Sequence, residues 1–283
     1  MKLARFTHNG VTSIGKIESD QIINLAPLLG DRGASMRALL TDFAALKPQI
    51  ESAKSPALPL SEVRLEAPIN DPQKFLAIGM NYKAHADEAA AAGVATPKSQ
   101  LWFNKQVSCI TGPFDSVVAP KVSEQLDYEA ELAFVIGKRC RHVSRADARS
   151  VIAGYLVCDD VTARDWQFRS PTYTLGKSFD THGPIGPWIT TDDEVADPLA
   201  LELTLTVNGE ERQRTSTGDM IYDIYDQIEY LSTVMTLEPG DLITTGTPSG
   251  VGIALGKFLQ PGDVVRVEIS QLGHIENRII AES

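Results

Sequence analysis

The stretch Leu126–Gly137, LDYEAELAFVIG, combines strand-forming residues with an unusual run of acids. It is rich in aromatic, branched and apolar side chains and ends at glycine, so its composition predicts a strand. Asp127, Glu129 and Glu131 then fall at i, i+2 and i+4. On a strand these point to one face, about 7 Å apart between alternate residues. Ala133 and Val135 continue that face, so the carboxylates lead into a core. Two ionised carboxylates held together and buried repel each other. A hard divalent cation with oxygen ligands, Mg²⁺, Mn²⁺ or Ca²⁺, removes that penalty. A further ligand is available in YLVCDDVTARDWQ, where Asp159 and Asp160 end an apolar run. The competing reading is an ordinary solvated strand end.

Other residues could act on a bound substrate. His85 and Glu88 are i, i+3 in NYKAHADEAAAAG, neighbours on one helix face. A carboxylate beside an imidazole orients it and raises its basicity, which makes a general base. Lys177 in YTLGKSFD could hold an anionic substrate or a developing enolate oxygen. Arg164 in TARD could form an internal salt bridge or clamp a carboxylate. TTGTPSGVGIALGK is glycine-rich but is not a phosphate loop, because Phe258 follows Lys257 where Ser or Thr is required. Its glycines also lack dinucleotide-binding spacing. The loop can still offer Thr247 and backbone N–H groups to an oxyanion.

The elements that must position these groups are mostly strands. Asn9-Gly10 and Asn208-Gly209 each sit between alternating runs and predict hairpins. Helices are expected near Met36 to Ile50, over NYKAHADEAAAAG with Asn81 as N-cap and Gly93 as stop, and over MIYDIYDQIEYLSTVM. Pro-Gly-Asp turns introduce two late strands. Strands outnumber helices and do not alternate with them, which predicts an α+β, mostly β fold. The Pro- and Ser-rich segment after Ile50 reads as a linker or a long surface loop. It suggests a small N-terminal α/β module over 1–70 and a larger domain over 71–283.

Composition narrows the function classes. The 283 residues carry 26 Lys+Arg against 37 Asp+Glu, a formal charge of −11. Such a chain is unsuited to nonspecific nucleic-acid binding, which needs a basic stripe. No apolar run is long enough to span a membrane, and MKLARFTHNG lacks a signal-peptide core. The three cysteines, Cys109, Cys140 and Cys158, have no C-x-x-C spacing. A cytoplasmic protein is expected.

In order along the chain, GMNYKAHADE, LDYEAELAFVIG, GYLVCDDVTARDWQ, TLGKSFDTHGPIGP and PGDLITTGTPSGVG resemble the motifs of the fumarylacetoacetate hydrolase family. The resemblance covers roughly residues 70 to 270. It implies a catalytic domain built on a mixed, rolled β-sheet, a homodimer, and an Mg²⁺ or Mn²⁺ ion held by Glu129, Glu131 and Asp160. It further implies a water-activating dyad of His85 and Glu88, a lysine beside the metal at Lys177, and substrate-proximal positions at Tyr82, Gln167 and Thr247. Met80 stands where many members have arginine, so the substrate's carboxylate or distal end would be held differently, by Lys105 or Tyr173. Asp127 is left at the rim or behind the ligands.

The implied reaction is hydrolysis of a C–C bond in a 2,4-dioxo acid, releasing pyruvate. The preferred substrate is 2,4-diketo-3-deoxy-L-rhamnonate, with fumarylpyruvate and simple acylpyruvates as alternatives. The runner-up is a decarboxylase, hydratase or isomerase of the same family acting on a 2-oxo acid such as oxaloacetate. A metal-stabilised binding protein would need neither the His–Glu pair nor Lys177.

Overall fold

The structure is a computed structural model that describes residues 1–30, 33–54, 56–91, 93, 95 and 97–283. Its N-terminal hairpin joins Lys2–His8 to Val11–Glu18, paired antiparallel from Lys2↔Ile17 to His8↔Val11. Asn9 and Gly10 take φ of 49° and 77°, the left-handed pair that a two-residue type I′ turn requires. The helix expected near Met36 to Ile50 is two helices, Met36–Thr41 and Phe43–Ser52, broken at Asp42. Each turns apolar residues inward, including Met36, Leu39, Leu46 and Ile50.

The Pro- and Ser-rich segment does not run free. Ala57–Pro59 pairs with Gln21–Asn24, and Arg64–Glu66 pairs with Lys2–His8. Lys2–His8 also pairs with Gly183–Thr191, through Lys2↔Thr190 and Leu3↔Ile189. The N-terminal strands therefore extend the same 12-stranded sheet that carries the acidic motifs.

In that sheet Gly183–Thr191, Ile152–Asp159, Ala130–Ile136, Leu242–Thr244, Phe75–Gly79 and Leu101–Asn104 follow one another as neighbours. The pairing of Leu242–Thr244 with Phe75–Gly79 is parallel, while its neighbours in this run are antiparallel, so the sheet is mixed. Ala130–Ile136 and Ile152–Asp159 are buried along their whole length. That explains their near-continuous apolar sequences, since both faces are covered. Leu132, Phe134 and Ile136 share a core with Val267, Ile275 and Ile228 from a five-stranded sheet and the Ile224–Val234 helix. Ala133 and Val135 point the other way, into a core with Met36, Leu39 and Phe75. The architecture is mostly β with mixed sheets, as the sequence predicts.

Register then brings the acids together. Ala130 lies opposite Asp159 and Glu131 opposite Cys158. The antiparallel arrangement sets the start of one strand beside the end of the other. The residues flanking those ends, Glu129 and Asp160, meet there, with Asp160 N donating to Glu129 O at 2.9 Å.

Candidate metal centre and adjoining cavity

The predicted continuous strand is interrupted. Leu126–Asp127 pairs with Thr162–Ala163, the next strand begins at Ala130, and Tyr128 and Glu129 lie between them. Asp127 accounts for the break. Its carboxylate accepts from its neighbour Tyr128 N at 2.8 Å, a local bond that competes with strand pairing. It also accepts from Gly252 N at 2.6 Å, Ile253 N at 2.9 Å and Arg164 Nε at 2.7 Å. Asp127 is therefore fully engaged behind the site, tying the glycine-rich loop to Arg164.

Glu129, Glu131 and Asp160 each offer an oxygen, and these atoms lie within 4.8 Å of one another. All three residues are buried. Lys177 Nζ donates to Glu129 Oε2 at 2.6 Å and to Asp160 Oδ2 at 2.8 Å. Lys105 Nζ donates to Asp160 Oδ1 at 2.6 Å and also to the Lys177 carbonyl. Arg164 Nη1 lies 2.6 Å from Glu129 Oε1. Among the described residues Glu131 has no ion pair within 4.0 Å; it accepts from Gly246 N at 2.9 Å.

That asymmetry splits the two glutamates. Burial and the charges of Asp160 and Glu129 push the Glu131 carboxyl well above the usual carboxylate range. Burial also opposes charge on Glu129, but Lys177 and Arg164 outweigh it and hold that carboxyl low. An all-oxygen set with one carboxylate short of a cation suits a hard divalent ion. Asp159 is outside the set: its Oδ1 accepts from Glu129 N at 2.8 Å, and burial raises its carboxyl to about 7.

Two glycines make the close approaches possible. A Cβ on Gly176 would stand 2.2 Å from Gln167 N, so only glycine lets the chain carry Lys177 in beneath the site. Gly246, which donates to Glu131, has φ +87°.

Through Glu129 the carboxylate cluster opens on a cavity of about 180 Å³ lined also by Lys177, Arg164, His85, Glu88, Gln167, Tyr173 and Thr247, together with Met80, Phe103 and other apolar side chains. His85 and Glu88 lie on the Lys83–Ala91 helix, with Nδ1 3.0 Å from Oε2. Glu88 Oε1 accepts from Gly250 N at 3.2 Å, which ties the helix to the loop. Burial raises the Glu88 carboxyl, but His85 and the Gly250 N–H more than offset it, leaving it below the usual value. Gln213 Nε2 donates to Thr247 Oγ1 at 2.9 Å, which leaves the Thr247 proton free for another acceptor. Gln167 Oε1 accepts from Arg164 Nη1 at 3.0 Å, so its amide N–H₂ is the free end.

Two predicted site residues lie elsewhere. Lys105 does not line the cavity; its ammonium lies under Asp160, and Asp160 holds it charged against burial. Tyr82 is 1% exposed, packed in the core and bridged to Met220 rather than facing the cavity. Asn81 does not cap the following helix. Its amide donates to Tyr222 O and Thr245 O and its oxygen accepts from Tyr222 N, all long-range bonds. Gln213 escaped the sequence reading altogether. Its only signal was a polar residue at an inward position of the hairpin strand Glu210–Ser216.

Residues 74–280 match the family model described as fumarylacetoacetate (FAA) hydrolase C-terminal. Human oxaloacetate tautomerase FAHD2A, mitochondrial, is 44% identical over 233 residues, 81% of this chain and 73% of that protein. The maleylpyruvate hydrolase of Sphingobium sp. SYK-6, in complex with manganese(II) ion and pyruvate, superposes with a TM-score of 0.86 at 37% identity, covering 100% of both chains. The 5-carboxymethyl-2-hydroxymuconate delta-isomerase of Mycobacterium smegmatis superposes with a TM-score of 0.81 at 33% identity, again over 100% of both chains. Among the described residues no helix is long and apolar enough to cross a membrane.

Proposed function

Since this chain belongs to the fumarylacetoacetate hydrolase family, we propose that it is a divalent-cation-dependent hydrolase that splits the C3–C4 bond of a 2,4-dioxo acid. The observation that carries this reading is the His85–Glu88 pair, joined at 3.0 Å and lining the same cavity as Glu129 and Lys177. The manganese and pyruvate bound by the maleylpyruvate hydrolase support it.

Glu129, Glu131 and Asp160 would hold Mg²⁺ or Mn²⁺, which when bound polarises the 2-oxo and carboxylate oxygens of the substrate. His85 removes a proton from water, held in orientation by Glu88. The hydroxide adds to C4, and the C3–C4 bond breaks with its electron pair moving to C3. The resulting pyruvate enolate lies beside the Lys177 ammonium, which stabilises its oxygen. The proton taken by His85 returns to C3. One water is consumed, and pyruvate and a second carboxylic acid leave. Thr247 and Gln167 each present a free donor to substrate oxygens, and Arg164 and Tyr173 complete the walls. Lys105 acts through Asp160. Tyr82 supports the helix that carries the dyad.

The preferred substrate is 2,4-diketo-3-deoxy-L-rhamnonate, split to pyruvate and lactate. The domain division belongs to the same reading: the family match begins at residue 74, which supports a small module over 1–70 beside the catalytic unit. The test is pyruvate release from a panel of 2,4-dioxo acids with Mg²⁺ or Mn²⁺, and its loss with EDTA while the fold persists. The 44% identity to an oxaloacetate tautomerase supports a second reading, in which the dyad moves a proton at C3 without bond cleavage. Accelerated enol–keto exchange of oxaloacetate, with no pyruvate released from any dioxo acid, would select it.

A further inference from the structure

We infer that the part of the cavity beyond the acidic cluster is a subsite for an uncharged, apolar group on C4 of the substrate, and that Met80 sets this preference. The inference rests on the 2,4-dioxo acid reading above and narrows it to acids with a single carboxylate.

The cavity lining divides by chemistry. Every lysine and arginine in it, namely Lys177 and Arg164, is already committed to carboxylates. Lys177 serves Glu129 and Asp160. Arg164 serves Asp127 through Nε and Glu129 through Nη1. Arg164 Nη2 is buried without a partner among the described residues, the remaining donor of that guanidinium. A second carboxylate placed there would share one cation with two carboxylates already in contact with it.

Apart from Glu129 and the His85–Glu88 pair, the rest of the lining carries no charge. It includes Ile78, Met80, Leu101, Phe103, Phe168 and Ile253. Phe103 and Phe168 both meet Tyr173 edge-on, with ring centroids 5.9 Å and 6.5 Å away. A carboxylate against this surface gives up water and gains no ion pair, which is strongly unfavourable. The alkyl part of a short uncharged group instead gains by leaving water. The volume of about 180 Å³ is well below the ~300–1,000 Å³ of drug-sized sites, so the group is small.

Met80 ends the Phe75–Gly79 strand with φ +54°. That conformation is uncommon for a residue other than glycine, and such strained positions gather at ligand sites. The long, unbranched side chain of Met80 lines the cavity. Arginine has similar reach, so Met80→Arg would add the missing cation with little change in length.

Binding of two non-cleavable 2-oxo acids to the Mn²⁺-loaded protein, measured by calorimetry, tests the assignment. 2-Oxohexanoate and 2-oxoadipate share the metal-binding end, lack the 4-carbonyl and differ in the distal charge. The expected result is at least tenfold tighter binding of 2-oxohexanoate, with Met80→Arg shrinking or reversing that ratio. Equal or tighter binding of 2-oxoadipate to the unaltered protein overturns the assignment, as does failure of 2-oxohexanoate to bind. The unaltered protein decides the matter even where the variant does not fold. Pyruvate release from acetylpyruvate and fumarylpyruvate is a separate arm. No release from either, with the binding order intact, removes the hydrolase reading and leaves the subsite standing. Faster release from fumarylpyruvate removes the subsite and leaves the hydrolase.

Discussion

Lys105 Nζ lies 2.6 Å from Asp160 Oδ1, and both side chains are sealed from water. Lys177 holds the other oxygen of the same carboxylate at 2.8 Å. Removing one partner of a buried pair usually costs ~3–5 kcal/mol, because a charge is left uncompensated. Lys105→Met is therefore expected to lower unfolding stability by about 3 kcal/mol in EDTA. With saturating Mn²⁺ the loss should be smaller, since a ligated Asp160 gains a positive partner in addition to Lys177. Urea unfolding under both conditions measures this. An equal loss in each would remove Asp160 from the ligand set.

Of the three clustered carboxylates Glu131 is the one with no cationic partner among the described residues, and its carboxyl is pushed up by burial and by Asp160 and Glu129. Glu131→Gln deletes a poorly tolerated charge and keeps an acceptor for Gly246 N–H. In the metal-free protein it should be neutral to about 1 kcal/mol stabilising. Mn²⁺ affinity should fall at least 100-fold, because a neutral amide replaces an anionic ligand. Unchanged affinity in a calorimetric titration contradicts the assignment.

His85→Ala removes the proposed base but none of the proposed metal ligands. Turnover should drop about 10²–10⁴-fold with Mn²⁺ affinity little changed. Glu88→Gln keeps a hydrogen-bonding group near His85 and should lose less. Near-full activity in His85→Ala would falsify the dyad.

His182 gives a pH signature of the fold. It is buried, its Nε2 lies 3.0 Å from Val118 O, and burial lowers its imidazole from 6.5 to about 3. Above pH 6.5 the ring is neutral in both states and contributes no pH dependence. Between about 6.5 and 3 the unfolded chain binds a proton that the native state refuses, so stability falls as pH falls. The slope from this one group is at most about 1.4 kcal/mol per pH unit. Between pH 6.5 and 5 the unaltered protein should lose about 2 kcal/mol more than His182→Gln, by urea unfolding. Carboxylate contributions are common to both proteins and cancel in the difference. Parallel losses would show that the ring titrates in the folded state.

The amino-acid sequence alone determined what lies within single elements. Turn dipeptides fix hairpins through local backbone preference, and Asn9-Gly10 folds as that preference demands. The i, i+3 spacing of His85 and Glu88 puts them side by side on any helix. The acids of LDYEAELAFVIG were legible as candidates, although their strand was not continuous, because Asp127 bonds its own neighbour and the Gly252 loop.

Tertiary structure decided which distant groups meet. Asp159 and Asp160 are indistinguishable by type; only the pairing of Ala130 with Asp159 turns one toward Glu129 N and leaves the other in the carboxylate cluster. Lys105 reached Asp160 across 55 residues of sequence, and Gly246 reached Glu131 across 115. No local periodicity encodes such contacts. Strand period and helical period say which side chains share a face, whereas long-range register and the burial of each charge depend on the whole packed core.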